Sequence, residues 1–192
     1  PTHSVSYGTI TGRNSRDGVF NSASNEWGRG VVYGNTRAYN NQHDNTNYQA
    51  LLNFYQQMQL AKVDYDIIGL SYYPYFHGPM DELNAAISRL ETSFSGKDIM
   101  LVETGYPYKW PVGGSTFDYT AQYPYSLQGQ QRFTAALITM LKTHKRVTGL
   151  FWWWPEYNAF STQLSGWYNA PLFDSTTGEA TPALYELKKF AE

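Results

Sequence analysis

Residues 98–103, with the sequence Asp-Ile-Met-Leu-Val-Glu, decide the fold. The four successive apolar residues in this stretch are typical of a strand that is buried in a parallel sheet. Two further stretches have the same character: residues 66–71, Asp-Ile-Ile-Gly-Leu-Ser, and residues 148–153, Thr-Gly-Leu-Phe-Trp-Trp. The sequence therefore predicts three buried strands.

Helical periodicity fills the segments between these strands. Apolar side chains recur at helical spacing within residues 47–61, 80–90 and 133–141. A last helix opens at Thr181-Pro182, where Thr can cap the helix and Pro suits its first turn. Helices that alternate with strands indicate a parallel α/β sheet, either doubly wound or closed into a barrel. No glycine-rich phosphate loop follows any of the strands, which disfavours a nucleotide site.

The chain divides by composition and periodicity into two regions. Residues 1–46 are rich in Gly, Asn, Ser, Thr and Arg and lack a helical period, so we predict loops with brief strands there. Residues 47–192 carry the alternating helices and strands. We therefore divide the chain into an irregular N-terminal segment and one α/β unit.

The composition narrows the function classes. The chain has 192 residues, 42% of them hydrophobic, with no cysteine and a formal net charge of -2, which fits one domain with a real core. It has no basic stripe for nucleic acid and no apolar run long enough to span a membrane. Aromatic residues make up 17%. Tyr and Trp rings are suited to a partly solvated carbohydrate-binding cleft, and they are equally suited to a core or a protein interface.

Glu103 is the most informative single residue. The carboxyl ends of parallel strands are where sites form in barrels and open sheets. Strict alternation would place Ile99, Leu101 and Glu103 on one face, with the carboxylate at the mouth of a barrel. Because a carboxylate is costly to desolvate there, we interpret Glu103 as functional. The alternative is a structural Glu that pairs with an Arg or caps a loop.

The third predicted strand ends in three tryptophans, Trp152, Trp153 and Trp154. Neighbouring strand residues face opposite ways, so one of them must belong to the core while another can line the mouth. We predict that Trp153 forms a sugar platform. His43 and His77 could bind a ligand or be ordinary structural residues. No cluster of His and Cys indicates a zinc site.

Four segments carry a resemblance to a known family. Residues 65–78, which contain Ser-Tyr-Tyr-Pro-Tyr-Phe-His-Gly, resemble the sixth strand of glycoside hydrolase family 53, the arabinogalactan endo-β-1,4-galactanases. Residues 102–107 resemble the segment of the seventh strand that bears the nucleophile, and residues 149–156 resemble the eighth strand. Residues 169–174 are similar to the family's closing segment. The matches occur in the family's order.

This resemblance implies a (β/α)8 barrel and a retaining mechanism with two Glu residues. By position, Glu103 is the nucleophile, Tyr73 lies near it, and Trp153 forms the floor beneath the cleaved sugar. The side chains predicted to contact substrate are Tyr73, Tyr75, Phe76, His77, Tyr106, Trp153 and Trp154. Bacterial members of the family can hold calcium beyond the seventh strand, but residues 113–125 lack a clear set of acidic ligands. We therefore predict no required cofactor and no metal ligand, with calcium as the open alternative.

Glu26 is the candidate acid/base. It follows Asn25, similar to the Asn-Glu pair at the end of the family's fourth strand. Residues 20–24 are mostly small and polar, however, where the resemblance calls for an apolar strand. Glu26 also lies closer to Glu103 in sequence than an intervening fifth βα unit would suggest.

The length predicts only part of a barrel. A (β/α)8 barrel typically contains about 250 residues, against 192 in this chain. We expect strands 6 to 8 here and the N-terminal half of the barrel elsewhere: in a longer enzyme, in another chain, or in omitted sequence. A part barrel would expose a strand edge and an apolar face, so we expect it to need a partner.

The leading functional prediction is a retaining endo-glycosidase that hydrolyses β-1,4-galactan. Its rivals are a related retaining hydrolase with another β-glycan specificity and a non-catalytic carbohydrate-binding fragment. Because polymers do not enter cells, we expect a secreted, periplasmic or cell-surface location.

Overall fold

The fold is known from a computed structural model that describes residues 31–33, 46–156 and 169–192. The side chains are described from Leu51 onward. Four parallel strands form one sheet in the order β1-β2-β3-β4. These strands are β1, Val31–Tyr33; β2, Ile67–Tyr72; β3, Asp98–Thr104; and β4, Val147–Trp152. The three predicted strands are confirmed with bounds shifted by about a residue, which is the usual uncertainty of strand ends. β1 lies where brief strands were predicted.

The helices lie between successive strands along the chain, and the last helix follows β4. They are α1, Thr46–Leu60; α2, Pro74–His77; α3, Met80–Ser93; α4, Leu127–Leu141; and α5, Pro182–Leu187, which continues into a 3₁₀ helix at Lys188–Phe190. Helix α4 begins earlier than its predicted start at residue 133, because the Ser126 hydroxyl caps it by accepting from the Gly129 N–H at 2.9 Å. The single turn α2 was not predicted.

The prediction that Thr181 caps the last helix is wrong in its side-chain detail. Thr181 occupies the N-cap position and Pro182 opens the helix, as expected. The Thr181 hydroxyl makes no capping bond; it donates instead to Oε1 of Gln130 at 3.4 Å. Gln130 is fully buried, so the hydroxyl satisfies a buried amide that would otherwise lose its hydrogen bonds with water.

The helices cover one face of the sheet. A single core cluster joins strand residues such as Ile68, Leu70 and Leu101 to residues of α1, α3 and α4. On the strand β4, Phe151 points away from this cluster and is 55% exposed. A doubly wound sheet carries helices on both faces, whereas a barrel wall carries them on its outer face only. Among the described residues, the architecture is therefore that of a barrel wall.

A β-bulge in β3 overturns the prediction that Ile99, Leu101 and Glu103 share a face. Leu70 pairs with Leu101, but the next residue, Ser71, pairs with Glu103, because the register shifts at this point. Ile99 and Leu101 are 1% exposed and belong to the core cluster beneath the helices. Paired residues of neighbouring strands point to the same side, so Glu103 points with Ser71 to the helix-free face. The extra residue re-aims the carboxylate, as bulges near active sites commonly do.

A polar cluster ties α3 to the amino ends of the strands. His144 Nδ1 lies 2.9 Å from the Glu91 carboxylate, and its Nε2 lies 2.7 Å from Oδ1 of Asn84. Arg146 donates from Nε to the Lys97 carbonyl at 2.7 Å. These contacts satisfy buried polar groups at the end of the sheet opposite Glu103, so they stabilise the scaffold and not the site.

Candidate active site

The site is built where β2, β3 and β4 end. Glu103 is half-buried, and its two carboxylate oxygens have different partners. The Tyr73 hydroxyl donates to Oε1 at 2.7 Å, and the Ser71 hydroxyl donates to Oε2 at 3.3 Å. Two donors from the neighbouring strand segment fix the plane of the carboxylate. One oxygen is thereby held by a short hydrogen bond, while the other has a longer one.

Tyr73 is held by the turn that follows β2. It is the N-cap residue of α2, and its carbonyl accepts from the N–H groups of Phe76 at 3.0 Å and His77 at 2.7 Å. Pro74 occupies the first position of the helix, where its missing N–H costs nothing. The sequence Tyr-Pro therefore ends β2 sharply and leaves the phenol of Tyr73 reaching across to β3.

Gly105 makes room for this arrangement. A Cβ atom at Gly105 would lie 2.9 Å from the Trp153 carbonyl oxygen and 3.4 Å from Cε1 of Tyr73. The absence of a side chain thus lets the phenol ring and the end of β4 approach the residue that follows the site strand. Gly105 and Ser71 are site residues that sequence reasoning missed. The Glu-Thr-Gly run after a buried strand was the available signal for Gly105.

Of the three tryptophans, one is buried in the core, as predicted, and two are partly exposed. Trp152 is 8% exposed, and its indole N–H donates to the Ala170 carbonyl at 2.6 Å. Trp153 and Trp154 are 42% and 37% exposed, and their ring centroids lie 5.1 Å apart with 37° between the planes. The peptide bond between these two residues is cis. Both indoles are thus partly exposed to solvent, and the platform role of Trp153 stays a prediction.

The remaining aromatic residues of the predicted site differ in exposure. Phe76 is half-buried. Tyr75 is 4% exposed and makes an edge contact with Phe76 at 4.6 Å between ring centroids. His77 is 8% exposed, and its Nδ1 accepts from the Tyr73 backbone N–H at 2.9 Å. The side chains of Tyr75 and His77 are therefore buried against the turn that follows β2.

Tyr106, predicted to contact substrate, has its side chain in the core. It is 1% exposed, stacks on Phe133 at 4.7 Å, and donates its hydroxyl to the Tyr123 carbonyl at 2.8 Å. Burial raises the pKa of the Tyr106 phenol well above its ordinary value. The sequence could not distinguish this buried ring from rings that face a ligand, because Tyr106 follows β3 just as a ligand-facing aromatic residue would.

A buried amide joins the loops after β3 and β4. Asn169 is fully buried, and its Oδ1 accepts from the backbone N–H groups of Lys109 at 3.1 Å and Trp110 at 3.2 Å. Its Nδ2 donates to the Trp110 carbonyl at 2.9 Å. The Asn169 amide thereby fixes the backbone of the loop that follows β3. Asn169 does not follow β4 directly, and the sequence signal for it was its place at the start of residues 169–174, the segment similar to the family's closing segment.

Glu26 and His43 lie outside the described residues, so the acid/base assignment stays a prediction. Within the described part of the chain, no three residues of the types His, Cys, Asp and Glu come together as a metal site. No helix in that part is long and apolar enough to cross a membrane.

The strand order, the helices on one face and the carboxylate at the carboxyl ends of the strands are features of part of a (β/α)8 barrel, a fold whose enzymes hold their active sites at that end. The model of the family described as Glycosyl hydrolase family 53 matches residues 24–187. The chain belongs to this family. The match begins upstream of the first of the four similar segments, residues 65–78, and it includes Glu26.

Two relatives resemble the chain over part of their length. An endo-beta-1,4-galactanase of Bacillus subtilis is 34% identical over 103 residues, covering 50% of this chain and 24% of that protein. An arabinogalactan endo-beta-1,4-galactanase of Cellvibrio japonicus is 31% identical over 152 residues, covering 72% of this chain and 40% of that protein. The chain thus spans well under half the length of these relatives.

A solved structure shows the same fold. A fungal β-1,4-galactanase superposes with a TM-score of 0.68 at 19% identity, covering 98% of this chain and 53% of that one. The predicted fold class, a part of a (β/α)8 barrel, is confirmed.

Proposed function

We propose that this chain contributes the nucleophile half of a retaining endo-glycosidase that hydrolyses β-1,4-galactan. The observation that carries the proposal is the carboxylate of Glu103, held by Tyr73 at 2.7 Å and by Ser71 at 3.3 Å at the carboxyl ends of the strands. A nucleophile must present one oxygen in a fixed direction, and two hydroxyl donors from one neighbouring segment supply that orientation.

The proposed reaction has two steps. In the first, a Glu103 oxygen bonds to the anomeric carbon while the bond from that carbon to the leaving sugar oxygen breaks. The leaving oxygen takes a proton from the acid/base carboxyl. In the second, water attacks the anomeric carbon and gives its proton to the same acid/base, and the bond to Glu103 breaks. Two inversions give net retention.

The acid/base partner is assigned to Glu26 as a proposal. The family match includes this residue and the preceding Asn25. In the sequence, four residues separate Glu26 from the start of β1, fewer than the dozen or so of a crossover between parallel neighbours. The assignment therefore depends on experiment. Rescue by azide tests the assignment: Glu26→Ala should regain turnover of an activated galactoside when azide, which needs no general base, attacks the glycosyl-enzyme in place of water and displaces Glu103 to give the β-galactosyl azide.

The galactan specificity rests on the relatives and on the aromatic mouth. The names of the Bacillus subtilis and Cellvibrio japonicus relatives state endo-β-1,4-galactanase activity. The exposed indoles of Trp153 and Trp154 offer apolar faces for the C–H face of a galactose ring. Because a polymer of galactose does not enter cells, we place the enzyme outside the cytoplasm.

Hydrolysis of β-1,4-galactan tests the proposal. The wild-type protein should release short galactooligosaccharides with a β-configured new reducing end, and Glu103→Gln should bind the oligosaccharides without cleaving them. An α-configured product would contradict the retaining mechanism. Binding without hydrolysis in the wild-type protein would favour the second candidate, a carbohydrate-binding fragment, which the two exposed indoles alone would support.

A further inference from the structure

His77 is engaged with protein backbone. Its side chain is 8% exposed, and its Nδ1 accepts from the Tyr73 N–H at 2.9 Å. A ring nitrogen that accepts a hydrogen bond carries no proton, so in the neutral ring the proton is on Nε2. The ring also lies 5.9 Å from the ring of Tyr73 and 6.4 Å from that of Tyr72, between centroids. His77 is thus packed against the turn that it hydrogen-bonds.

The hydrogen bond completes the anchoring of the Tyr73 backbone. The carbonyl of Tyr73 already accepts from the N–H groups of Phe76 and His77. Its N–H is one that a helix N-cap leaves without a helical partner, and in a capping box a side chain of the first turn reaches back to satisfy it. Here the side chain of His77 does so, while the Tyr73 phenol is turned to Glu103 at 2.7 Å.

We propose that His77 is a positioning residue for the nucleophile: it fixes the Tyr73 backbone so that the phenol meets Oε1 of Glu103. This inference rests on the proposed function, because it concerns the same reaction. The burial of His77 and its bond to backbone favour this role over the sugar contact predicted from the sequence. The phenol oxygen lies at the far end of a rigid ring, so a small rotation of the Tyr73 backbone displaces it strongly.

The effect of losing this anchor follows from geometry. A misplacement of about 1 Å at a reacting group can cost about 100-fold in rate. His77→Leu removes the acceptor while keeping an apolar side chain of moderate size. His77→Asn keeps an acceptor close to the position of Nδ1. His77→Gln moves the acceptor toward the position of Nε2, so it should behave like the Leu variant.

The experiment measures how fast an activated 2-fluoro-β-galactobioside forms the glycosyl-enzyme, followed by intact mass in the protein at its full natural length. The final extent of labelling counts folded sites, and the rate constant reports their competence. We expect His77→Leu to slow labelling by about 30- to 100-fold and His77→Asn to stay within about fivefold of wild type. The matched control is His144→Leu, equally buried at 8% but at the opposite end of the sheet. It should lower the melting temperature and leave the rate constant within about twofold.

A double variant separates positioning from general support. In a Tyr73→Phe background, His77→Leu should slow labelling by no more than about twofold further, because its effect passes through the phenol. A wild-type rate in the Leu and Gln variants, or the same loss in both backgrounds, overturns the positioning role and leaves the proposed function standing. If the wild-type protein acquires no label on Glu103, the proposed function fails and this inference fails with it.

Discussion

The phenol oxygen of Tyr73 lies 2.7 Å from Oε1 of Glu103, across the junction of β2 and β3. Two local features create this contact. The bulge after Leu101 turns Glu103 to the helix-free face, and Pro74 ends β2 so that the Tyr73 side chain reaches toward its neighbour. The catalytic proposal therefore depends on one extra residue in β3 and on the sharp turn that follows β2.

Removal of the Tyr73 hydroxyl should impair the reaction more than the fold. We expect Tyr73→Phe to lower kcat by about 10- to 1,000-fold, because one of the two donors to the nucleophile is lost. The ring contacts remain, so the melting temperature should stay close to that of the wild type. Steady-state kinetics on galactan and thermal denaturation check the two parts.

The matched control for this variant is Tyr55→Phe. The Tyr55 hydroxyl donates to the Gly69 carbonyl at 3.2 Å within the core. Its loss should cost about 1 kcal/mol of stability without changing kcat per folded enzyme. Equal kinetic effects of the two variants would contradict the role given to Tyr73.

Truncation of an exposed indole should weaken oligosaccharide binding. We expect Trp153→Ala to raise the Kd for a galactooligosaccharide about tenfold, equivalent to about 1.4 kcal/mol. The comparison is Tyr185→Ala, which removes a 58% exposed aromatic ring on α5. Calorimetric titration with the Glu103→Gln protein isolates binding from hydrolysis. An unchanged Kd in the Trp153 variant would remove this residue from the platform.

The sequence predicted the fold well because its signals are local. Buried strands such as residues 98–103 are continuous apolar runs, and the helices have clear periods, so element type and order could be read directly. The position of Glu103 near a strand end followed from the same run.

The side-chain faces could not be read in the same way. Strict alternation predicted that Glu103 and Leu101 lie on the same face. The bulge that separates them depends on the pairing between β2 and β3, and an apolar run in the sequence gives no local indication of it. The aromatic residues after the strands posed a similar problem. Tyr106 and Trp153 occupy comparable sequence positions, yet one is 1% exposed and the other 42%, because Phe133 of the following helix covers Tyr106. Tertiary packing determines whether each ring is buried or exposed, and this could not be predicted from composition.

Gly129 should resist substitution although it lies in a helix. A Cβ there would lie 1.7 Å from the Pro124 carbonyl oxygen, so the backbone must move to admit it. We expect Gly129→Ala to destabilise the protein by about 1 to 3 kcal/mol, despite the helix propensity that Ala adds. Gly96→Ala is the control, since a Cβ at Gly96 meets nothing within 4 Å. Chemical denaturation of the two variants measures the difference, and equal stabilities would contradict the close approach.

The carboxylate of Glu186 should make stability depend on pH. The hydrogen bond from Lys189 at 2.7 Å is the main cause that lowers the pKa of this carboxyl below its ordinary value of 4.5, and the amide of Gln131 contributes at 2.8 Å. A lowered pKa in the folded state means that the contribution is present above pH 4.5 and is lost as the pH falls through the folded-state pKa. Glu186→Gln should therefore be less stable than wild type at pH 7, with the gap closing in acid.

Melting temperatures from pH 3 to pH 7 check this expectation, with the exposed Glu179→Gln as the control. A gap between wild type and Glu186→Gln that stays constant over this range would show that the carboxylate contributes through packing and not through charge.

The most direct test of the account is to locate the covalent intermediate. The protein is treated with an activated 2-fluoro-β-galactobioside, digested, and sequenced by tandem mass spectrometry. The account predicts one sugar adduct on the peptide that contains residues 98–104, attached to Glu103, and no adduct in Glu103→Gln. An adduct on another carboxylate, or galactan hydrolysis by Glu103→Gln at the wild-type rate, would contradict the assignment of Glu103 as the nucleophile.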